Sequence, residues 1–337
     1  MYTQESFCNA VWGTTFMKID GSYCKDDYKD FSIPKKGGLR DLSYLPKSSV
    51  LYTLQAKLVH NFLAKISLPT CAIGFRRNES YKSYLLPHVG NEYYLRIDIK
   101  DFFPSITDKL IASELACFLS LNTPEETDKI ITLITDIVTR NGVLPQGAST
   151  SPAISNIVMA RIDQRILKYC QVFDITYTRY ADDLLFSSPR YDFSQKKWFF
   201  KKIKYILKSS NFRINYTKIK YAQEELSLNG YVISHTDVRL SRKRLSDIRH
   251  VVSKMQKNHS ILIDYGPDVF LDTINSLPLY HRDLSEYPFK SLFLLVQYLC
   301  GYRAFLISWI DSNSQTAFQK ELKHLIARIE KVIKEFS

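Results

Sequence analysis

None of the six cysteines (Cys8, Cys24, Cys71, Cys117, Cys170, Cys300) belongs to a Cys-x-x-Cys pair, and most sit among apolar neighbours. That pattern excludes a zinc ribbon or a disulfide framework and reads as reduced, buried thiols. The seven histidines form no His-x-x-x-His pair and no Cys/His cluster, so no imidazole metal site is expected. Long hydrophobic runs are missing too. The most apolar stretch, from Ser291 to Leu299 and on through Ala304 to Trp309, is interrupted by Gln297, Gly301 and Arg303. It reads as a buried helix, not a membrane span. Residues 1–20 contain charged and polar breaks, so no signal peptide is visible and a cytoplasmic protein is expected. There is no internal repeat and no low-complexity tract.

What is present is positive charge. Lys plus Arg number 46 against 34 Asp plus Glu, a net charge of +12 with a pI near 9.2. Hydrophobic content of 45% and aromatic content of 13% mark an ordered globular chain. Its 337 residues suffice for one large unit or two to three small ones. A cationic surplus on an ordered chain favours a polyanion as partner.

Two adjacent acids mark the central stretch, Tyr177-Thr-Arg-Tyr180-Ala-Asp182-Asp183-Leu-Leu-Phe-Ser187. β-branched and aromatic residues lead into Ala-Asp-Asp and an apolar run leads out, which predicts a β-hairpin with a three-residue break and two carboxylates at its tip. Adjacent acids at a turn are usually only a solvated loop, so the surroundings decide. Upstream, Tyr94-Leu-Arg-Ile-Asp98-Ile-Lys-Asp101-Phe-Phe103-Pro is a second strand ending in an acid followed by aromatics. Between the two, Leu144-Pro-Gln146-Gly147-Ala-Ser-Thr-Ser151-Pro152 is a turn running into a helix, with Ser151 and Pro152 as N-cap and first helical residue. Nucleotidyl transfer needs carboxylates that fix two divalent ions about 3.5–4 Å apart. Mg²⁺ is hard and keeps most of its waters, so two or three acids suffice.

In this order, acid strand, Gly-rich turn and acid hairpin resemble motifs A, B and C of a reverse transcriptase palm. Asp98–Ser105, Leu144–Pro152 and Tyr177–Asp183 are similar to the bacterial retron and group II intron-related enzymes, and the resemblance runs from about Ile33 to Arg249. It implies an α+β right-hand polymerase fold: N-terminal segment and fingers over 1–92, a ferredoxin-like palm over 93–235 with fingers elements interleaved at 107–145, and an all-α thumb over 236–337. It implies an RNA-directed DNA polymerase working with two Mg²⁺ ions, for which Mn²⁺ can substitute. Asp98, Asp182 and Asp183 would be the catalytic acids and, with the Ile99 carbonyl, the metal ligands. Phe103, five residues after Asp98, would collide with a 2′-hydroxyl and select deoxynucleotides; an ordinary core aromatic is the other reading. Gln146 would line the nucleotide pocket, and Gly147 would let the backbone approach the incoming sugar and base. Lys218, in the motif D position, is a candidate proton donor to pyrophosphate or a plain strand-end lysine. Asp101 is expected to cap its turn.

The remaining segments follow from pattern. Phe31 to Leu42 carries Lys35-Lys36-Gly37-Gly38 between two strand-like stretches, a basic hairpin that is either a surface hairpin with lysines guarding an edge or, as the resemblance implies, one on which Arg40 and Lys36 would hold the triphosphate. Leu51 to Ile66 has helical spacing. Gly74 to Gly90 is basic and loop-like, so Arg76 and Arg77 are candidate nucleic-acid contacts, and His88 is either structural or a contact. Phe199 to Leu207 is an amphipathic basic helix, and Phe212 to Lys220 resumes strand character. Between Ser241 and Asn258 six Lys/Arg meet one acid on a helical pattern, either a solvated basic face or a first thumb helix along a duplex, with Arg242, Lys243 and Arg249 as candidate contacts. Helices are expected near 266–276, 288–310 and 315–336.

Retrons usually carry Asn-Ala-x-x-His before motif A and Val-Thr-Gly near the thumb; here the stretches are Tyr84-Leu-Leu-Pro-His88 and Leu228-Asn-Gly230. The expectation is therefore a retron-like reverse transcriptase of the defence-associated, anti-phage type, ahead of a true retron making branched RNA-linked msDNA. Its implied partners are a dedicated non-coding RNA template, the RNA/DNA duplex and dNTPs, with a partner effector protein or a second reverse transcriptase, an oligomer, or neither. No membrane partner is expected, and the length is expected to leave no room for an RNase H, endonuclease or integrase domain. An RNA-dependent RNA polymerase and a degenerate, non-catalytic RNA scaffold are disfavoured by Phe103 and by the complete set of acids. A template-independent or protein-primed polymerase stays open, since 22 tyrosines are available.

Overall fold

Thr3 opens the first helix, α1 (Gln4–Trp12), through a reciprocal capping box with Ser6, and α2 (Phe16–Ile19) follows. The basic hairpin forms as β1 (Lys29–Lys35) and β2 (Gly38–Tyr44), with Lys29 opposite Tyr44 and Lys35 opposite Gly38. Helix α3 (Val50–Asn61), capped by Ser49, buries Leu51, Leu54 and Leu58. The stretch expected to be a loop contains α4 (Tyr81–Leu85) and a 3-10 turn, Leu86–His88, because Ser80 and Ser83 cap each other reciprocally. After β3 (Tyr93–Lys100) come α5 (Asp108–Leu115) and α6 (Pro124–Val138), started by Thr107 and Thr123 side chains. Helix α7 (Ser151–Gln171) has Thr150, not Ser151, in the cap position; Ser151 is helical and its hydroxyl donates to the Pro145 carbonyl at 2.6 Å.

The acid hairpin is β4 (Thr176–Tyr180) and β5 (Asp183–Ser188), followed by α8 (Lys197–Lys208). The next strand is split in two, β6 (Arg213–Ile214) and β7 (Lys220–Gln223), by a 3-10 turn at Tyr216–Lys218. The sheet runs β4-β5-β3-β6 with β7 also on β3, and every pairing is antiparallel. Read along the chain from β3, this is strand, three helices, two strands, helix, strand, the split βαβ arrangement with extra helices in its first crossover. Ile97 and Ile99 of β3, Phe186 of β5 and Phe199 and Ile203 of α8 share one core, in which Phe186 stacks on Tyr177 at 4.9 Å and meets the Phe199 edge at 5.3 Å.

Downstream, β8 (Glu225–Leu228), β9 (Tyr231–Ser234) and β10 (Val238–Leu240) form a sheet in the order β10-β9-β8. Asn229 (φ 48°) and Gly230 (φ 85°) make the two-residue turn between β8 and β9, the Asn-Gly pair a type I′ hairpin favours. Four helices follow: α9 (Arg242–Lys257), α10 (His259–Asn275), α11 (Leu292–Ile307) and α12 (Ala317–Phe336). Helix α10 reaches back to His259 and is broken where Gly266 (φ 84°) precedes Pro267. Helix α9 packs on α10 and α12, and α11 packs on α12.

This computed structural model describes residues 2–35, 38–280, 282–310 and 316–336. The chain divides into two units, Met1–Glu225 with Ser234–Thr236, and Leu226–Ile233 with Asp237–Ser337. Among the described residues no helix is long and apolar enough to cross a membrane.

Candidate active site

Register brings the acids together. Asp98 of β3 lies opposite Asp183 of β5, and Asp183 lies opposite Tyr180 of β4. The hairpin break is thus two residues, Ala181-Asp182, not three, and Asp183 already belongs to the strand. Ala181 takes φ 56°, a left-handed conformation that a two-residue turn imposes and that glycine usually supplies. Buried neighbours hold it there. Arg179, wholly buried, donates to the Ala181 carbonyl at 3.0 Å, to Asn156 Oδ1 at 3.1 Å and to Asp163 at 2.8 Å. Tyr177 donates to Asp163 at 2.8 Å, and Asn156 donates to the Gly74 carbonyl at 2.8 Å. Gly74 lies so close to the turn that a Cβ there would stand 2.6 Å from the Ala181 nitrogen.

The three carboxylates occupy one end of the sheet. The Ile99 N–H donates to the Asp182 carbonyl at 2.9 Å, so the edge of β3 at Ile99 faces the hairpin tip. Asp98 is 2% exposed, and Lys218 Nζ donates to its Oδ1 at 2.8 Å. Arg96 Nε donates to Asp183 Oδ1 at 2.8 Å, and the guanidinium comes within 3.9 Å of Asp98. Burial raises Asp182 above the usual carboxylate range, and the charge of Asp98 adds to it. Burial likewise lifts Asp183 to about 6, against the opposing pull of Arg96. Among the described residues no three His, Cys, Asp or Glu side chains already stand as a metal cage. The donors nonetheless suit a hard divalent ion: all are oxygens, and burial and mutual repulsion both favour a cation between them.

The other expected site residues are placed less uniformly. Phe103 is half-buried, its ring 5.4 Å from Phe102 and 6.3 Å from Phe75. Gln146 accepts from the Ser43 N–H at 2.8 Å through its carbonyl. Gly147 has φ 114°, and a Cβ would stand 2.8 Å from the Ser43 carbonyl; the approach that requires glycine is to β2. Arg40 is exposed on β2, and Lys36 lies outside the described residues. Asp101 (φ 48°) holds its turn through its carbonyl, which accepts from the Ser105 N–H at 2.9 Å and hydroxyl at 2.8 Å; its carboxylate is not the cap.

Of the candidate nucleic-acid contacts, Arg76 turns inward to the Pro69 and Ala72 carbonyls at 3.4 and 3.3 Å, while Arg77 is exposed. In the second unit Arg242 is exposed, Lys243 lies 4.6 Å over the Tyr280 ring, and Arg249 is paired with Glu321, so its charge is already met. His88 is a structural residue: fully buried, it bonds Ser187 Oγ at 2.6 Å and Thr178 Oγ1 at 2.8 Å. Nothing in the sequence pattern alone singles out Arg96 or Arg179, and Asn156 and Asp163 join them at the site only through the fold. A signal existed for two of them, since Asn156 and Asp163 are seven apart on the one face of α7 that meets β4.

Residues 33–233 match the family model described as reverse transcriptase (RNA-dependent DNA polymerase). The chain is 32% identical over 228 residues to the retron Ec86 reverse transcriptase of Escherichia coli, covering 66% of this chain and 68% of that one. It is 38% identical over 162 residues to the retron Ec73 enzyme of Escherichia coli, covering 46% of this chain and 51% of the relative. It is 35% identical over 175 residues to the retron Mx65 enzyme of Myxococcus xanthus, covering 48% of this chain but only 40% of the relative. Among solved structures, apo telomerase from Candida tropicalis superposes with a TM-score of 0.48 at 15% identity, covering 91% of this chain and 62% of that one.

Proposed function

The chain belongs to the reverse transcriptase (RNA-dependent DNA polymerase) family, among enzymes of the retron type, and from that premise we propose that it copies a dedicated non-coding RNA into DNA at Asp98, Asp182 and Asp183. The observation that carries this reading is the register placing Asp98 opposite Asp183, with Asp182 at the adjoining turn. Asp98 and Asp182, the Ile99 carbonyl, and Asp183 once it exchanges Arg96 for another cation would hold divalent ions. When bound, such ions lower the cost of ionising the primer hydroxyl and of releasing pyrophosphate. Lys218, which donates to Asp98, would pass a proton to the departing phosphate, and Arg96 would balance the acids until substrate arrives. Arg40, with Lys36, would meet the triphosphate, Gln146 and Gly147 would border the nucleotide, and Phe103 would crowd its 2′ position. Arg77, Arg242 and Lys243 would contact the duplex.

An anti-phage role with a partner effector protein is supported by the family resemblance alone. The named retron relatives favour a second reading of the product, DNA joined to its own RNA as branched msDNA. Sequencing the RNA and DNA that co-purify with the protein, before and after treatment with a 2′,5′-debranching enzyme, separates the two. The polymerase reading itself is tested by Mg²⁺-dependent dNTP incorporation on an RNA template. No incorporation with either Mg²⁺ or Mn²⁺ overturns it.

A further inference from the structure

We propose that the exposed face of α8, with the groove beside it, is a second nucleic-acid surface that holds a single-stranded stretch of RNA by its phosphates and bases. From Phe193 to Gln223 the chain carries nine lysines and arginines and no acid. Lys197, Lys201, Lys204 and Lys208 recur on α8 three or four residues apart, close enough to repel one another. None of these four has an acidic partner among the described residues, nor does Arg213. Such a face destabilises a helix unless an anion relieves it. Lys204, Lys208 and Arg213 converge, with Lys100, on a groove of about 750 Å³ that Asn211 and Tyr216 also line.

Aromatic rings alternate with these cations. Trp198, Tyr205 and Tyr216 are 45%, 63% and 55% exposed, and Lys204 lies 5.3 Å over the Tyr216 ring. A second hollow, of about 510 Å³, opens on the opposite flank of α8 between Trp198, Lys201, Lys202, Tyr205 and Tyr169. Exposed rings among lysines are a stacking platform for unpaired bases. A membrane does not fit, because the apolar side of α8 (Phe199, Ile203, Ile206, Leu207) is already buried in the core. Nor does a free triphosphate, since Trp198 to Lys208 extends about 15 Å along the helix, with sites on both flanks. A polymer of phosphates and bases matches both the length and the composition.

Only the choice of RNA over other polyanions rests on the polymerase reading. The test measures fluorescence anisotropy of a labelled oligouridine of about 20 nucleotides against protein whose cleft is filled with an unlabelled short RNA/DNA primer–template. K201E/K204E/K208E should lose at least about tenfold in affinity and flatten the salt dependence by about two in log–log slope. K201Q/K204Q/K208Q should do the same more weakly, which guards against misfolding of the reversal. W198A/Y205A should lose roughly tenfold with the slope unchanged. All three should incorporate dNTPs on the short primer–template like the parent. Parental affinity and slope in both lysine variants overturn the proposal, and tighter binding of the matching deoxyoligonucleotide overturns the assignment to RNA. Failure of incorporation in the parent would sink the polymerase reading while leaving the surface to stand or fall on its own binding curve.

Discussion

The acid hairpin and helix α8 both belong to the first unit, and both are dense in charge, yet they treat it oppositely. Around the hairpin three buried side chains are met by opposite charge: Arg179 by Asp163, Asp183 by Arg96, Asp98 by Lys218. On α8 the lysines are exposed and Lys201, Lys204 and Lys208 stand without an acid among the described residues. Water sets the difference. A charge removed from it must find a partner within the fold, whereas a solvated one can remain uncommitted until a ligand comes. Charge at the hairpin therefore serves geometry, and charge on α8 is available for binding.

The sharpest break between the regions should come from Asp98→Asn. It keeps the size and hydrogen-bonding capacity of the side chain but removes the charge, and incorporation should fall by about 10³-fold or more, with the thermal transition retained. Lys204→Gln should leave incorporation on a short primer–template unchanged. Incorporation by Asp98→Asn at the parental rate would dissolve the distinction and the site with it.

The next largest effect concerns the supports. Arg179→Met leaves Asp163 buried without its cation, with the Tyr177 hydroxyl still donating to it, at a cost of about 3–5 kcal/mol, read as a shift in the denaturation midpoint. Arg179→Met/Asp163→Leu should recover most of that stability while still impairing incorporation, because the Ala181 carbonyl loses its donor. Lys204→Met on α8 should stay within about 0.5 kcal/mol. Equal costs for Arg179→Met and Lys204→Met would show that burial does not separate the two regions.

These supports also mark where the sequence stopped being legible. Asp98, Asp182 and Asp183 could be found because hairpin patterning and the order of motifs place them, and register follows from a period of two. The helical spacing of α3, α6, α9 and α12 was visible for the same reason, a stripe against a core. Arg179, Asp163 and Asn156 were not found, since an arginine inside a strand looks like a surface residue until burial is known. The 3-10 turn at Tyr216–Lys218, which presents Lys218 to Asp98, leaves no periodic trace. Gly147 stands out in its turn, but its reason lies in Ser43, more than a hundred positions away, and only tertiary packing supplies that.

A smaller effect should follow at the sugar. Phe103→Val opens the half-buried position beside Phe102 and Phe75, and rNTP incorporation relative to dNTP should rise roughly 10–100-fold. Competition between dTTP and UTP on one template reads the ratio. An unchanged ratio would return Phe103 to the core aromatics and remove it from sugar selection.

The last contrast is in pH, and it rests on His88. Thr178 Oγ1 donates to the Tyr84 carbonyl at 2.9 Å, so it accepts from His88 Nε2; Asn91 donates to Ser187 Oγ at 2.8 Å, so Ser187 donates to His88 Nδ1. Both contacts are satisfied by the neutral ring with its proton on Nε2, and a second proton would turn the Ser187 hydroxyl away and bury a charge. Burial accordingly pushes the imidazole down from 6.5 to about 3. The unfolded chain takes up that proton first, so the contribution is intact above pH 6.5 and is lost as pH falls toward 3, at up to about 1.4 kcal/mol per pH unit. His88→Gln can keep one donor and one acceptor without titrating, and its stability should fall less steeply with acid over that window. Urea denaturation across the window, with Lys204→Gln as the control from the exposed face, measures the slopes. Parallel slopes for His88→Gln and the parent would mean that the buried ring carries no proton cost, and that burial at the hairpin is less complete than its bonds require.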